Sequence, residues 1–249
     1  IFRPFTFRMK EYLRRLLFKR NKFLYNSKML TIDEYALPNM NSEGINTSFI
    51  PDPSPYKFKD KYINSETEFD ILLYGAMTRR KGIHTLVKAI NHLYTNEIKI
   101  KTKILGKIND NVLNTDEKII FNNLVNEDII VHIDRWVEDQ EIIDSLIDSK
   151  IVVLPYENFY SSSGVLITAT TFRKKVIASD NTGTLSSRII DNNLGLLFKQ
   201  CDYIDLAKKI IESLENKPLV ESQEIFSKKN TLKEFKKKLL NHTSDYLKI

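Results

Sequence analysis

The residues able to do chemistry stand in loops, each after a short apolar run. Gly75-Ala76-Met77-Thr78-Arg79-Arg80-Lys81-Gly82 follows the run Phe69–Tyr74. Three consecutive cations ahead of a helical pattern can neutralise phosphate, and arginine does so bidentately. Gly75 lets a ligand approach the backbone closely. A solvated turn explains the same cluster. The GxxxxGK[ST] order of a P-loop is missing, as is GxGxxG. A second loop, Glu157–Ser163, runs into Gly164 and Val165. Ser161, Ser162, Ser163, Gly164 and Val165 stand where a helix should begin, and the unpartnered N–H groups of a first helical turn attract anions. On this stretch alone an N-cap serine in an ordinary βαβ unit is the commoner explanation. Gly106-Lys107 offers a bare backbone edge, and Asp134-Arg135-Trp136-Val137 holds the only tryptophan, able to cover a base or pack on a helix.

Other chemistries find little support. His84, His92, His132 and His242 show no metal-ligand spacing, and neither GxSxG nor HExxH occurs. The single cysteine, Cys201, rules out an internal disulfide and fits a reducing compartment. The basic residues follow no RRM, KH or helix-turn-helix pattern, which speaks against nucleic acid as a partner.

These loops need elements to hold them. Phe69–Tyr74, Ile98–Leu105, Ile129–Ile133, Ile151–Leu154, Val176–Ala178 and Leu196–Phe198 read as buried strands. Between them Ile83–Tyr94, Asp116–Val125, Asp139–Asp148, Val165–Phe172 and Leu185–Asp191 read as helices. Tyr203–Glu215 and Thr231–Tyr246 follow as two more. Strict alternation implies an α/β fold, a Rossmann-like parallel sheet with helices on both faces. Ligands of such sheets lie at the carboxyl ends of the strands. Upstream, Lys28–Ile32 reads as a strand and Asp33–Met40 as a short helix stopped near Pro38. Pro51-Asp52-Pro53-Ser54-Pro55 is a stiff crossing. The boundaries implied are 1–50, a linker over 51–65, a main domain over 66–218 and a helical tail over 219–249.

With 249 residues, 42% of them hydrophobic, the chain can bury a core. The net charge of +6 admits an anionic partner without naming one. Basic residues crowd positions 1–28, where residues 5–25 show helical spacing; Glu11 is the only acid there. Such a helix admits peripheral contact with an anionic membrane, or is a solvated face. No run approaches the roughly 18 apolar residues of a membrane span. The start at Ile1 and the lack of a signal pattern suggest a piece of a longer protein.

Taken in order, the four loops resemble the C-terminal, donor-binding domain of family-4 GT-B glycosyltransferases, the glycosyl transferases of group 1. FDILLYGAMTRRKGIHTLVKAI resembles the family's strand, glycine, "KG" and helix, and KTKILGK its second strand. VHIDRWVEDQEIIDSLIDSKIVVLPYE resembles the run ending in its "aDv.vlPs..E". SSSGVLITATTFRKKVIASDNTGTLSSRIIDNNLGLLF resembles its closing motif. The match covers about residues 69–215. FIPDP resembles the linker between the two halves of the fold, so residues 1–50 resemble the end of the acceptor-side half. The resemblance implies that Lys81 meets the donor pyrophosphate, with Arg79 or Arg80 assisting. Gly75 admits the donor, and Ser161–Val165 binds phosphate through N–H groups. Gly106, Lys107, Trp136 and Val137 flank the base. No cofactor and no metal are implied; the nucleotide-diphosphate sugar is a substrate.

Departures from the family fall at its acids. The family places two glutamates as Glu-x7-Glu, the second holding ribose hydroxyls. Alignment on Lys174-Lys175-Val176-Ile177-Ala178-Ser179-Asp180 puts Thr168 in the second place and Tyr160 in the first. Glu157 takes the first role only if the loop carries a three-residue insertion. A subset with "SSGVL" and "RKG" also lacks the second acid. Ala76 stands where many members have arginine, and Lys175 replaces a proline, a structural change.

The expectation is a hexosyltransferase, retaining by resemblance, with Glu157, Lys81 and Arg79 as candidate catalytic residues. It moves a sugar from a nucleotide-diphosphate donor to a glycan or lipid-linked glycan, and this chain carries the donor half. A silent glycosyltransferase-like binding or regulatory protein, or a sugar-nucleotide epimerase on the same fold, are the rivals. Lys, Asn and Ile richness suggests an AT-rich bacterial genome and hence surface polysaccharide assembly, and the reducing compartment that Cys201 fits makes the expected location cytoplasmic, with peripheral contact on the inner face of the membrane.

Overall fold

The structure is a computed structural model that describes residues 29–57, 67–217 and 219–247. Its contacts divide the chain into two units: Pro53–Asn230, and a second joining the residues before Pro53 to those after Asn230.

The larger unit is built on a six-stranded sheet of β3 (Phe69–Tyr74), β4 (Thr102–Leu105), β5 (Ile130–Ile133), β6 (Ser149–Leu154), β7 (Lys175–Ser179) and β8 (Gly195–Phe198), after two short strands upstream, β1 (Met29–Thr31) and β2 (Thr47–Phe49). Every pairing is parallel, and the spatial order is β5-β4-β3-β6-β7-β8. The strands are nearly continuous aliphatic runs because helices cover both faces. Side chains alternate between two cores. Ile71 and Leu73 face one with α2 (Ile83–Thr95), α3 (Thr115–Asn126) and α7 (Tyr203–Glu215). Leu72 and Tyr74 face the other with α4 (Asp139–Ile147), α5 (Gly164–Thr171), α6 (Thr184–Asp191) and α8 (Val220–Lys229).

Local chemistry sets the helix ends. Asn114 and Glu117 form a capping box at α3, and the Asp202 carboxylate accepts from Ile204 N and Asp205 N at α7. Lys175 donates to Ser213 O and Asn216 O at the end of α7, a structural duty for the residue that replaces the family's proline. Helix α8 lies in the expected helical tail over 219–249, where the sequence reading gives no helix separate from Thr231–Tyr246. Only one residue per turn is inward, but Phe226 enters the core and buried Gln223 donates to Lys174 O. The expected strand Ile98–Leu105 shortens to Thr102–Leu105, since Ile98 is exposed and lies before the ladder begins.

In the smaller unit, β1 pairs in parallel with β2. Between them a 3₁₀ turn, Glu34–Ala36, precedes α1 (Leu37–Ser42). Pro38 therefore stands in the first turn of a helix rather than stopping one; a proline has no N–H to lose there. Helix α9 (Leu232–Leu247) completes the unit. The basic helix expected over residues 5–25 lies outside the described residues.

Candidate functional site

The chain runs from β3 outward to β4 and β5, then returns to place β6 on the other side of β3. Loops leaving the adjacent ends of β3 and β6 therefore diverge and open a crevice. The two loops that carry the cations and the serines are these two.

They are joined by backbone. After β3, Arg79–Lys81 forms a 3₁₀ turn closed by Gly82 in the left-handed region, φ 69°. A Cβ on Gly82 would stand 1.7 Å from Pro155 O, so only glycine lets the β3 loop lie against the end of β6. Glu157 N–H donates to Arg80 O at 2.8 Å. The side chains then reach the same space. Lys81 Nζ donates to Tyr156 Oη at 2.6 Å, and the Arg80 guanidinium lies 5.1 Å from the Phe159 ring centre.

The space is a cavity of about 410 Å³ lined by Arg80, Lys81, Tyr74, Tyr156, Phe159, Ser162, Ser163, Gly164, Val165 and Thr168, with Pro55 and Tyr56 at its side. Helix α5 points its N-terminus into it. Ser163 has extended backbone, and its Oγ accepts from Leu166 N at 3.4 Å. Nothing stands within 4 Å of where a Gly164 side chain would be, so the first turn is open. Behind the serines Arg188, fully buried on α6, donates to Ser162 Oγ. No acid lines the cavity among the described residues.

Of the expected site residues, the cavity thus gathers Arg80, Lys81, Ser162, Ser163, Gly164, Val165 and Thr168. Gly75 adjoins it, its missing Cβ 3.5 Å from Lys81 Nζ. Ser161 is exposed and outside the lining. Arg79 is elsewhere: its guanidinium holds both oxygens of Glu117 and donates to Val112 O at 3.1 Å. Lys88 Nζ reaches Glu117 Oε1 at 2.8 Å, and Asn114 N–H donates to Glu117 Oε2 at 3.1 Å. Burial would raise the Glu117 carboxyl, but Arg79, Lys88 and that N–H outweigh it and hold it at about 2.

Glu157 also turns from the cavity. Its Oε1 lies 2.7 Å from His84 Nε2 and 3.3 Å from Thr85 Oγ1. Burial lowers the His84 pKa and Glu157 pulls it back up in part. The neutral ring therefore carries its proton on Nε2, toward the carboxylate, and leaves buried Nδ1 bare. Thr168 donates to Gly164 O at 2.8 Å, inside its own helix. The Tyr160 backbone is approached by Gly183, whose Cβ would come 2.9 Å from Tyr160 O.

The residues expected around a base lie apart from the cavity lining. At Gly106 a Cβ would come 2.1 Å from Gly75 O, so the neighbouring strand end by itself requires glycine there. Lys107 is exposed. Trp136 is 84% exposed, while Val137 packs on the second core. Sequence reasoning passed over Tyr74, Tyr156, Phe159 and Arg188. Their aromatic or basic types are common, and only the folded loops turn them to one place.

A family model, described as glycosyl transferases group 1, matches residues 56–233. The chain belongs to this family. Its fold is the C-terminal, Rossmann-like half of a GT-B glycosyltransferase. The glycosyltransferase of Rickettsia africae ESF-5 superposes with a TM-score of 0.70 at 19% identity, covering 90% of this chain and 65% of that one. Sucrose-phosphate synthase from Thermosynechococcus elongatus gives 0.67 at 22%, covering 90% and 59%. The pneumococcal O-GlcNAc transferase GtfA, in complex with UDP and GlcNAc, gives 0.67 at 16%, covering 89% and 45%. The chain thus spans 45 to 65% of the length of these structures. No curated protein matches it in sequence. No helix among the described residues is long and apolar enough to cross a membrane, and no group of acids, histidines and cysteine there is placed to hold a metal ion.

Proposed function

We propose that this group 1 glycosyltransferase domain binds a nucleotide-diphosphate sugar in the cavity between β3 and β6, as the donor half of a retaining hexosyltransferase. Residues 66–218 form the donor-binding domain in this reading. The acceptor is a glycan or lipid-linked glycan. The supporting observation is the convergence of Lys81, Arg80 and the open N-terminus of α5 on one cavity. Transfer leaves a nucleoside diphosphate, and its developing negative charge needs preorganised positive groups. Two cations and a helix N-terminus supply them, with Arg188 setting the serine loop from behind. Tyr156 aims the Lys81 ammonium before the donor arrives.

Calorimetry of the chain with UDP, GDP and ADP tests the reading. At least one should bind, and Lys81→Ala should weaken it about ten- to hundredfold, the value of one charge-assisted phosphate contact. No binding, or binding indifferent to Lys81→Ala, would refute it.

A second reading, a catalytically silent donor-binding relative, is favoured by one observation: Thr168 and Tyr160 stand in the acidic places while Glu157 is engaged by His84. A nucleotide sugar that binds through Lys81 yet stays intact with every acceptor tried supports it. Mass-spectrometric detection of a transferred sugar rules it out.

A further inference from the structure

One residue outside the cavity fastens both ends of the turn that carries its cations. Glu157 N–H donates to Arg80 O at 2.8 Å, near the start of that turn. The Glu157 carboxylate reaches the other end, the first turn of α2. There its Oε1 lies 2.7 Å from His84 Nε2 and accepts from Thr85 Oγ1 at 3.3 Å. Lys81 and Gly82 lie between the two fastenings. Glu157 thus clasps residues 80–85 from the loop after β6, and its neighbour Tyr156 holds Lys81 Nζ at 2.6 Å.

The surroundings of the clasp suit a carboxylate. A helix N-terminus favours negative charge, and Glu157 meets α2 at that end. Partial burial, and then the Glu157 charge beside it, push the Cys201 thiol up; the thiol stays protonated and gives the carboxylate a further donor. The side chains of His84 and Glu157 are only 8% and 16% exposed. His84 Nδ1 is buried with no hydrogen-bond partner among the described residues, while Nε2 bonds to Glu157. An apolar side chain of similar size would fill that place without a bare nitrogen. What histidine adds is the Nε2–H that Glu157 accepts. Glu157 is absent from the cavity lining, so its charge is not set against a phosphate there.

We infer that Glu157 and His84 are positioning residues for phosphate binding: they hold the turn so that Arg80 and Lys81 face the cavity, and neither touches the ligand. Glu157 acts through the Arg80 carbonyl and through the placement of Lys81 against Tyr156. Without its carboxylate the turn keeps one fastening of two, and its cations lose the preorganisation on which their hold on phosphate depends. The inference rests on the donor-site reading above. It gives Glu157 a role other than acid, base or nucleophile.

Calorimetry with pyrophosphate and UDP tests it on the full chain, GDP or ADP replacing UDP where they bind more tightly, at about 20 °C below each variant's melting transition. Glu157→Ala should weaken both ligands alike, about fivefold to tenfold. Glu157→Gln keeps an acceptor oxygen and should recover most of that loss. His84→Phe should weaken both ligands about threefold, and His84→Gln, which returns an N–H, should recover it. Because the clasp acts through the cations, adding Glu157→Ala to Lys81→Ala should cost only about twofold more. A lower melting temperature with unchanged affinity makes the clasp merely structural and overturns the inference. So does the full, independent loss in the Lys81→Ala background. Sugar transfer abolished by Glu157→Gln with donor affinity intact makes Glu157 catalytic and overturns it as well. In each case Lys81→Ala still reports on the donor reading. If neither ligand binds the parent chain, both fall together.

Discussion

Arg79 offers the sharpest separation between what its sequence position promises and what its contacts allow. It neighbours two cavity cations, yet its guanidinium holds Glu117, which is 1% exposed. Glu117 is held at about 2 instead of 4.5. At about 1.4 kcal/mol per pH unit, that is worth about 3 kcal/mol from all partners before screening. Arg79 and Lys88 share the duty, and their side chains are 46% and 38% exposed, so solvent weakens both contacts. Arg79→Ala should therefore cost about 1 to 2 kcal/mol at pH 7, lowering the melting temperature by about 2 to 8 °C. The sign with pH follows from the lowered carboxyl. The stabilisation is complete above the unfolded value of 4.5 and disappears as pH falls toward 2, so the gap between variant and parent should close over that range. Thermal unfolding followed by circular dichroism at pH 7 and pH 3 measures it. Calorimetry with UDP at 20 °C below the variant's transition, an order-of-magnitude margin, should show affinity within about threefold of the parent. An unchanged melting temperature with a tenfold loss of affinity would place Arg79 on the donor and refute the reasoning.

Three further outcomes are expected. Gly82→Ala must put a Cβ into Pro155 O at positive φ, costing about 3 kcal/mol or more and pulling Lys81 away from Tyr156; a stable variant with parental donor affinity would contradict this. Arg188→Met removes a buried donor to Ser162 and should lose about 2 kcal/mol along with nucleotide affinity, so a melting temperature within about 1 °C of the parent would be inconsistent with it. Because burial lowers the His84 pKa, the unfolded chain takes up that proton first, and stability should decline as pH falls below 6.5; His84→Gln should flatten the decline in melting-temperature profiles.

Much of the fold was legible because buried parallel strands are aliphatic runs of a few residues, while helices between them show a wider apolar period. Tyr203–Glu215 appears with the same bounds in sequence and structure. Elements escaped where few inward residues decide the matter. Helix α8 depends on Phe226 and Gln223, and β2 has only three residues, which become a strand by pairing with β1. Pro38 looked like a stop, since position within a helix decides whether its missing N–H matters.

At the site, sequence order alone determined that Arg80, Lys81 and the serines would occupy strand-end loops, since chain direction fixes which end of each parallel strand a loop leaves. The tertiary structure decided which strand ends are neighbours. Pairing of β3 with β6 brought residues some eighty positions apart to one cavity, and sent Gly106, Lys107 and Trp136 to the loops of other strands. It also decided orientation among adjacent residues. In the 3₁₀ turn Arg79–Lys81, Arg79 turns to buried Glu117 while Arg80 and Lys81 turn to the aromatic wall. Glu157 was drawn to His84, and Tyr74 was placed in the cavity wall. A linear pattern records which groups a chain possesses; burial and the demand for partners determine which of them remain for a ligand.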